Sequence, residues 1–212
     1  MDASNFTLEG RDKRSLRNGL SSLQKKGFQT AIHYAPLDSH LLKTLKSVSD
    51  AWLAAYDKEE QTFSQGKFDE KEIAHHDVIT ISDAGGEVVA FLNIIPDYSP
   101  GECTYDLIRK TADATGGCMD ALIVKLVEYA KGRNCQFINM GMVPMTGMEE
   151  PASPEEQLIK FAGKKLKRFK HYHGLRDFKE KYATTWRDKF LVYENDYDLL
   201  QLPLALNKVM QP

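Results

Sequence analysis

The sequence predicts an α/β fold with a mixed central sheet and helices on both faces. Three observations carry that prediction. Val78-Ile79-Thr80-Ile81, a turn at Ala84-Gly85-Gly86 and the run Val88 to Ile95 read as a hairpin, with Cys103 to Ile108 as a further strand behind it. Met119, Leu122, Ile123, Leu126, Val127 and Ala130 recur at the helical period after Gly116-Gly117. The whole order is strand, helix, three consecutive strands, helix, strand, helix, strand, and a sheet covered on both faces is its natural packing.

The elements follow in turn. Leu16, Leu20 and Leu23 recur between basic residues, which predicts a basic amphipathic helix ending near Gly27. Phe28 to Tyr34 alternates loosely and reads as a strand. Asp38 is placed to cap a helix through about Asp57, with Leu41, Leu42, Leu45, Val48, Trp52 and Leu53 on one face. Lys58 to Asp69 is a polar loop, and Pro96 to Gly101 a turn-rich one. Cys135 to Met140 is a strand running into a loop rich in Gly, Pro and Met. Pro154 suits the first turn of a helix that reaches the Lys164-to-Lys170 cluster. Phe190-Leu191-Val192-Tyr193 reads as a late strand and Leu199 to Val209 as a terminal helix.

Composition narrows the function classes. The 212 residues are 42% hydrophobic and 27% charged, which excludes a disordered tail, a collagen-like chain and a disulfide miniprotein. No apolar run approaches the roughly 18 residues that span a bilayer. The N-terminus is polar, so a soluble chain is expected, one still able to touch a membrane surface. Cys103, Cys118 and Cys135 are an odd count without short pairing and read as free thiols in a reducing compartment.

The formal charge is −2, but it is unevenly placed. Arg11 to Lys26 carries a net +5 and Lys160 to Lys181 a net +7, which leaves −14 on the remaining 174 residues. Two basic segments on an acidic body make a phosphate-rich partner as good a reading as two solvated helix faces.

Local motifs point further. Gly10-Arg11-Asp12-Lys13-Arg14-Ser15-Leu16-Arg17-Asn18 resembles the basic connecting helix of the aminoacyl-phosphatidylglycerol synthases, also called multiple peptide resistance factors. Val48-Ser49-Asp50-Ala51-Trp52-Leu53 and Phe63-Ser64-Gln65-Gly66-Lys67-Phe68-Asp69 are similar to the segments that follow it. The family's Asp-Leu-Met-Arg segment appears as Tyr105-Asp106-Leu107-Ile108-Arg109, and its strand-end loop as Asn139 to Met145. Its C-terminal signature appears as Gly174-Leu175-Arg176-Asp177-Phe178-Lys179-Glu180-Lys181-Tyr182, with Trp186 and Phe190 to Tyr193 beyond. The segments are collinear from about Gly10 to Tyr193.

The resemblance implies a GNAT-like acyltransferase fold, with residues 1–27 as a basic connecting helix and 28–212 as a single GNAT-like domain. It implies transfer of an amino acid of the lysine or alanine class from aminoacyl-tRNA to the glycerol hydroxyl of phosphatidylglycerol. The implied partners are aminoacyl-tRNA, phosphatidylglycerol at the inner face of a bacterial membrane, and a first GNAT-like half or membrane domain. The chain itself is expected in the cytoplasm.

Such a donor is already an activated ester, so neither metal nor cofactor is expected. The site has to bring ester and hydroxyl together and stabilise the oxyanion. The sequence agrees: it has no Cys-x-x-Cys, no His-Glu-x-x-His and no phosphate loop. His75-His76 would face opposite ways on a strand, and they, like His171 and His173, read as surface residues.

Asp106, inside an apolar strand, is the first candidate acid, because a carboxylate there is costly unless paired. It suits the aminoacyl ammonium or the hydroxyl proton, and the alternative is a structural pair with Arg109. Three residues apart on a regular strand, the two point to opposite faces, so either a bulge intervenes or Arg109 lies past the strand end. Arg109 suits a phosphate, and Lys181 matches a basic site position of the family. These three are the catalytic candidates. Arg14, Arg17, Arg176, Lys179 and Glu180 are the substrate-binding candidates. Asp120 reads as a helix N-terminal acid, and the Met140–Met148 cluster as core packing more than a pocket.

Two rival readings stand beside this one. An acetyl-coenzyme A-dependent N-acetyltransferase on the same fold would need a phosphate cradle at Ala112 to Cys118, where Asp113 is the wrong charge. The other rival is a half-domain that only binds tRNA or a partner.

Overall fold

The computed structural model describes residues 1–57, 59, 60, 62, 66–143, 170–190 and 192–209. Apart from the terminal residues, the chain divides into two compact units, 2–139 and 140–211. The division falls inside the stretch expected to be one domain, and the N-terminal basic helix is grouped with the sheet.

The first unit is built on five strands in the order β1 (Gln29–His33), β2 (Asp77–Ser82), β3 (Val88–Ile95), β4 (Glu102–Lys110) and β5 (Phe137–Asn139). The first four pair antiparallel with their neighbours, and β5 pairs parallel with β4. The mixed sheet expected from the sequence is thus present. Asp2 bridges to Phe137 on the far side of β5.

Four helices accompany the sheet: α1 (Arg14–Lys25), α2 (Ser39–Ala55), α3 (Glu70–Ile73) and α4 (Cys118–Gly132). Asp38 caps α2 as expected, its Oδ1 accepting from the N–H groups of His40 and Leu41 at 2.8 and 2.9 Å. The short α3 lies where the sequence offered no periodic signal. Asp69 starts it by accepting from Lys71 N–H at 2.8 Å.

The alternation of β2 and β3 divides their side chains between two layers. Val78 and Phe91 face α2 and join Leu37, Leu45, Val48, Phe68, Ile73 and Leu107 in one buried cluster. Phe68 meets Phe91 edge to face at 6.0 Å. Ile79, Ile81 and Leu92 are buried under α4, which crosses the opposite face with Leu122, Ile123, Leu126, Val127 and Ala130 all buried.

The second unit contains α5 (Lys170–Glu180) and α6 (Asp196–Val209). The terminal helix starts three residues before the predicted Leu199. The predicted helix from Pro154 lies outside the described residues. The predicted strand at Phe190 to Tyr193 is a correction. Its described residues have no ladder partner, and Phe190 and Val192 stand 85% and 91% exposed. An apolar run becomes a strand only when a neighbour takes up its backbone groups, and a single sequence does not show that neighbour.

His75 and His76 are likewise not on a strand. They occupy the turn between α3 and β2, with His75 exposed and His76 half-buried.

Candidate active site

The site candidates Asp106 and Arg109 both lie within β4, so the strand does not end before Arg109. The pairing explains how they share a face. Tyr105 stands opposite Ile94 and Ile108 opposite Leu92, so Asp106 and Leu107 together stand opposite Asn93 alone. That is a β-bulge, and it cancels the alternation between Asp106 and Arg109. Leu107 enters the α2-side core and Arg109 touches α2 residues.

Asp106 sits at the bulge with one hydrogen bond among the described residues. Gly66 N–H donates to its Oδ1 at 2.9 Å. The approach is so close that a Cβ on residue 66 would lie 1.8 Å from Oδ2. Among the described residues, Oδ2 has no hydrogen-bond donor and the carboxylate no salt bridge.

Arg109 does not supply one. It is buried at 5% exposure, and its guanidinium is taken up elsewhere. It forks onto Glu60, with both N···O distances 2.7 Å. It also donates to the hydroxyl of Ser49 and stacks over Trp52 at 5.0 Å from the ring centroid. Burial alone would raise the pKa of Glu60. The hydrogen bonds and charge of Arg109 outweigh it, with help from Phe68 N–H, and hold the carboxyl below its usual range. A phosphate on Arg109 would have to displace Glu60.

A second polar group lines the bulge. Asn93 is 1% exposed and its Oδ1 accepts from Leu107 N–H at 2.7 Å. Its Nδ2 lies 3.2 Å from Nδ1 of His76. Sequence reasoning missed Ser49, Glu60, His76 and Asn93 in these roles. The available signals were the i, i+3 spacing of Ser49 and Trp52 and a polar Asn inside the apolar run Val88 to Ile95.

The basic candidates of α1 differ from one another. Arg14 is exposed, as are Lys25 and Lys26, which with Asn18, Ser21 and Ser22 line a groove. Arg17 is exposed but committed, donating to the carbonyls of Gly10 at 2.7 Å and of Leu8. It ties the incoming loop to a helix whose start has no side-chain cap.

The remaining candidates belong to the second unit. Lys179 is buried and donates to the Met142 carbonyl at 3.1 Å, and burial lowers its pKa to about 8. Lys181 is exposed, with Nζ 5.5 Å from the Phe178 ring centroid. Arg176 and Glu180 are exposed and face each other at 3.9 Å one turn apart.

Among the described residues no cluster of three His, Cys, Asp or Glu could hold a metal, and no helix is long and apolar enough to cross a membrane. Burial pushes the Cys103 thiol up to about 12 and raises Cys118 as well, so neither is an activated nucleophile. The turn where coenzyme A would need its cradle is closely approached: a Cβ on Gly117 would stand 3.5 Å from the backbone of Gly19 in α1.

Residues 1–193 match the family described as phosphatidylglycerol lysyltransferase, C-terminal. The chain belongs to that family. It is 33% identical over 201 residues to a phosphatidylglycerol lysyltransferase of Bacillus subtilis, covering 94% of this chain and 23% of the relative. It is 32% identical over 215 residues to the Staphylococcus xylosus protein of the same name, covering 100% and 25%. The solved L-PGS structure from Bacillus licheniformis aligns at a TM-score of 0.78 and 30% identity, over 100% of this chain and 64% of that one. This lysyltransferase-family chain therefore spans about a quarter of the length of those curated relatives.

Proposed function

We propose that this chain is the part of a phosphatidylglycerol aminoacyltransferase that holds the aminoacyl end of a charged tRNA. The observation that carries the reading is Asp106. Its carboxylate is set on a bulge of a central strand, within a family-matched segment. Among the described residues it has no cation beside it, because Arg109 is spent on Glu60. A ligand ammonium is the missing counter-charge, and an aminoacyl ester carries one.

In the reaction, the glycerol hydroxyl oxygen bonds to the aminoacyl carbonyl carbon and the bond to the ribose oxygen breaks. The proton moves from the glycerol hydroxyl to the ribose. Asp106 orients the ester through its amine. Arg109 contributes by holding Glu60 and α2 in place. Arg14 and Lys25 of α1, with Lys26 just past its end, are the charges we assign to tRNA phosphates.

The test is lipid extraction after incubating the purified chain with amino-acid-labelled lysyl- or alanyl-tRNA and phosphatidylglycerol vesicles. Labelled lipid is expected, with a loss on the order of 10²-fold or more in Asp106→Asn at an unchanged unfolding midpoint. Full transfer by that variant would overturn the reading. If the chain alone makes no labelled lipid, the uncovered part of the B. licheniformis chain is added. Continued absence would leave a module that only binds.

A further inference from the structure

The contacts around Asn93 determine a proton position that no single distance shows. Leu107 N–H can only donate, so the Asn93 atom 2.7 Å from it is the carbonyl oxygen. The other end of the amide is then the NH₂ group. It lies 3.2 Å from Nδ1 of His76, and an NH₂ group cannot accept. Nδ1 of His76 must therefore carry the lone pair. A neutral imidazole has a single N–H, which here is on Nε2. Protonating Nδ1 would set two donors face to face in a place where Asn93 cannot turn over, since that would orphan Leu107 N–H in the bulge.

Among the described residues, the titratable groups acting on the ring are Glu72 from α3, the adjacent His75 and Asp106 from β4. Burial lowers the His76 pKa, Glu72 and Asp106 draw it back up, and His75 opposes them; the balance is downward.

We propose that His76 is a positioning residue for Asp106. Asn93 locks it as the neutral Nε2–H tautomer, so that no imidazolium competes with a ligand ammonium for the carboxylate. The inference rests on the reading of Asp106 given above. It adds a coupling between the bulge and the site: the same asparagine that completes the backbone of the bulge keeps its neighbouring histidine uncharged. Acidification through the His76 pKa breaks the Asn93 contact and adds a positive charge within electrostatic reach of Asp106.

The experiment uses the full chain, with imidazole nitrogens followed by ¹H–¹⁵N correlation and assigned by the signals lost in His76→Gln. At neutral pH the Nε2–H pattern is expected. An Nδ1–H pattern or an imidazolium would overturn the proposal. Asn93→Asp still accepts from Leu107 N–H but offers Nδ1 only an acceptor. It should raise the His76 titration midpoint by about one pH unit or more, and an unchanged midpoint would count against the lock. Asp106→Asn should lower that midpoint, and no movement would show that the two groups are not coupled. In the transfer assay, His76→Gln keeps an acceptor toward Asn93 and cannot charge. It should remove the acid rise in KM for aminoacyl-tRNA without changing the acid dependence of kcat, and persistence of that rise would overturn the positioning role. Absence of transfer at every pH, with the nitrogen spectra as expected, would refute the transferase reading instead.

Discussion

Arg109 carries a full charge at 5% exposure, and its surroundings explain why that is tolerated. A bidentate carboxylate, a hydroxyl and an indole face replace its water. Glu60→Gln removes the counter-charge and leaves the guanidinium stranded. A stability loss of about 2–4 kcal/mol is expected in urea unfolding, most of it the cost of the unpaired cation. The pH dependence has a definite sign. The folded-state pKa of Glu60 is depressed, so its contribution is fully present above the ordinary glutamate value of 4.5 and is lost as pH falls through the lower folded value. Glu60→Gln should flatten that part of the acid unfolding curve. Gly66 makes the opposite kind of prediction. The atom that an alanine Cβ would strike is the end of the Asp106 side chain, which can swing away. Gly66→Ala should therefore leave unfolding nearly unchanged while transfer falls toward the level of Asp106→Asn.

At the scale of elements, α1 is both a structural strut and a charged surface. Leu16 and Leu23 are its buried anchors, and Arg17 holds the preceding loop through two carbonyls. Arg17→Gln should cost about 1 kcal/mol, whereas Arg14→Gln should stay within about 0.5 kcal/mol of the parent, as urea midpoints would show. Much of the element order was legible because period and turn chemistry are local. Asp38, the Gly85-Gly86 turn and the apolar stripe of α4 each specify their element within a few residues. The candidate site was legible only in part. Asp106, and the choice between a bulge and a strand ending before Arg109, could be read from one strand. The partner of Arg109 could not, since Glu60 lies 49 residues away in a loop without periodicity, and only the folded sheet brings it to the guanidinium. The segment at Phe190 failed for a related reason: its composition suits a strand, but strand formation depends on a neighbour.

For the whole molecule, a net charge of −2 conceals a strong internal asymmetry. In sequence, two basic segments stand in an otherwise acidic chain, which favours a polyanion at those segments over the rest. The proposed binding of tRNA should then fall steeply with salt, with a log–log slope of about −0.7 to −0.9 per phosphate contacted. Charge reversal at Lys25 and Lys26 should make that slope shallower by about one unit per lysine, measured by fluorescence anisotropy across a salt series. A slope unchanged by both reversals would remove α1 from the tRNA surface.

The bulge in β4 has a consequence for how such a strand can change by inheritance. With Asp106 absent, Leu107 would stand alone opposite Asn93, while Tyr105 would keep Ile94 and Ile108 would keep Leu92. The ladder would close into regular alternation, with every other side chain on its present face. In the gene this is the gain or loss of one codon. A plain antiparallel strand and a strand presenting a carboxylate are thus neighbours in sequence space, separated by a single in-frame triplet and by no change of fold.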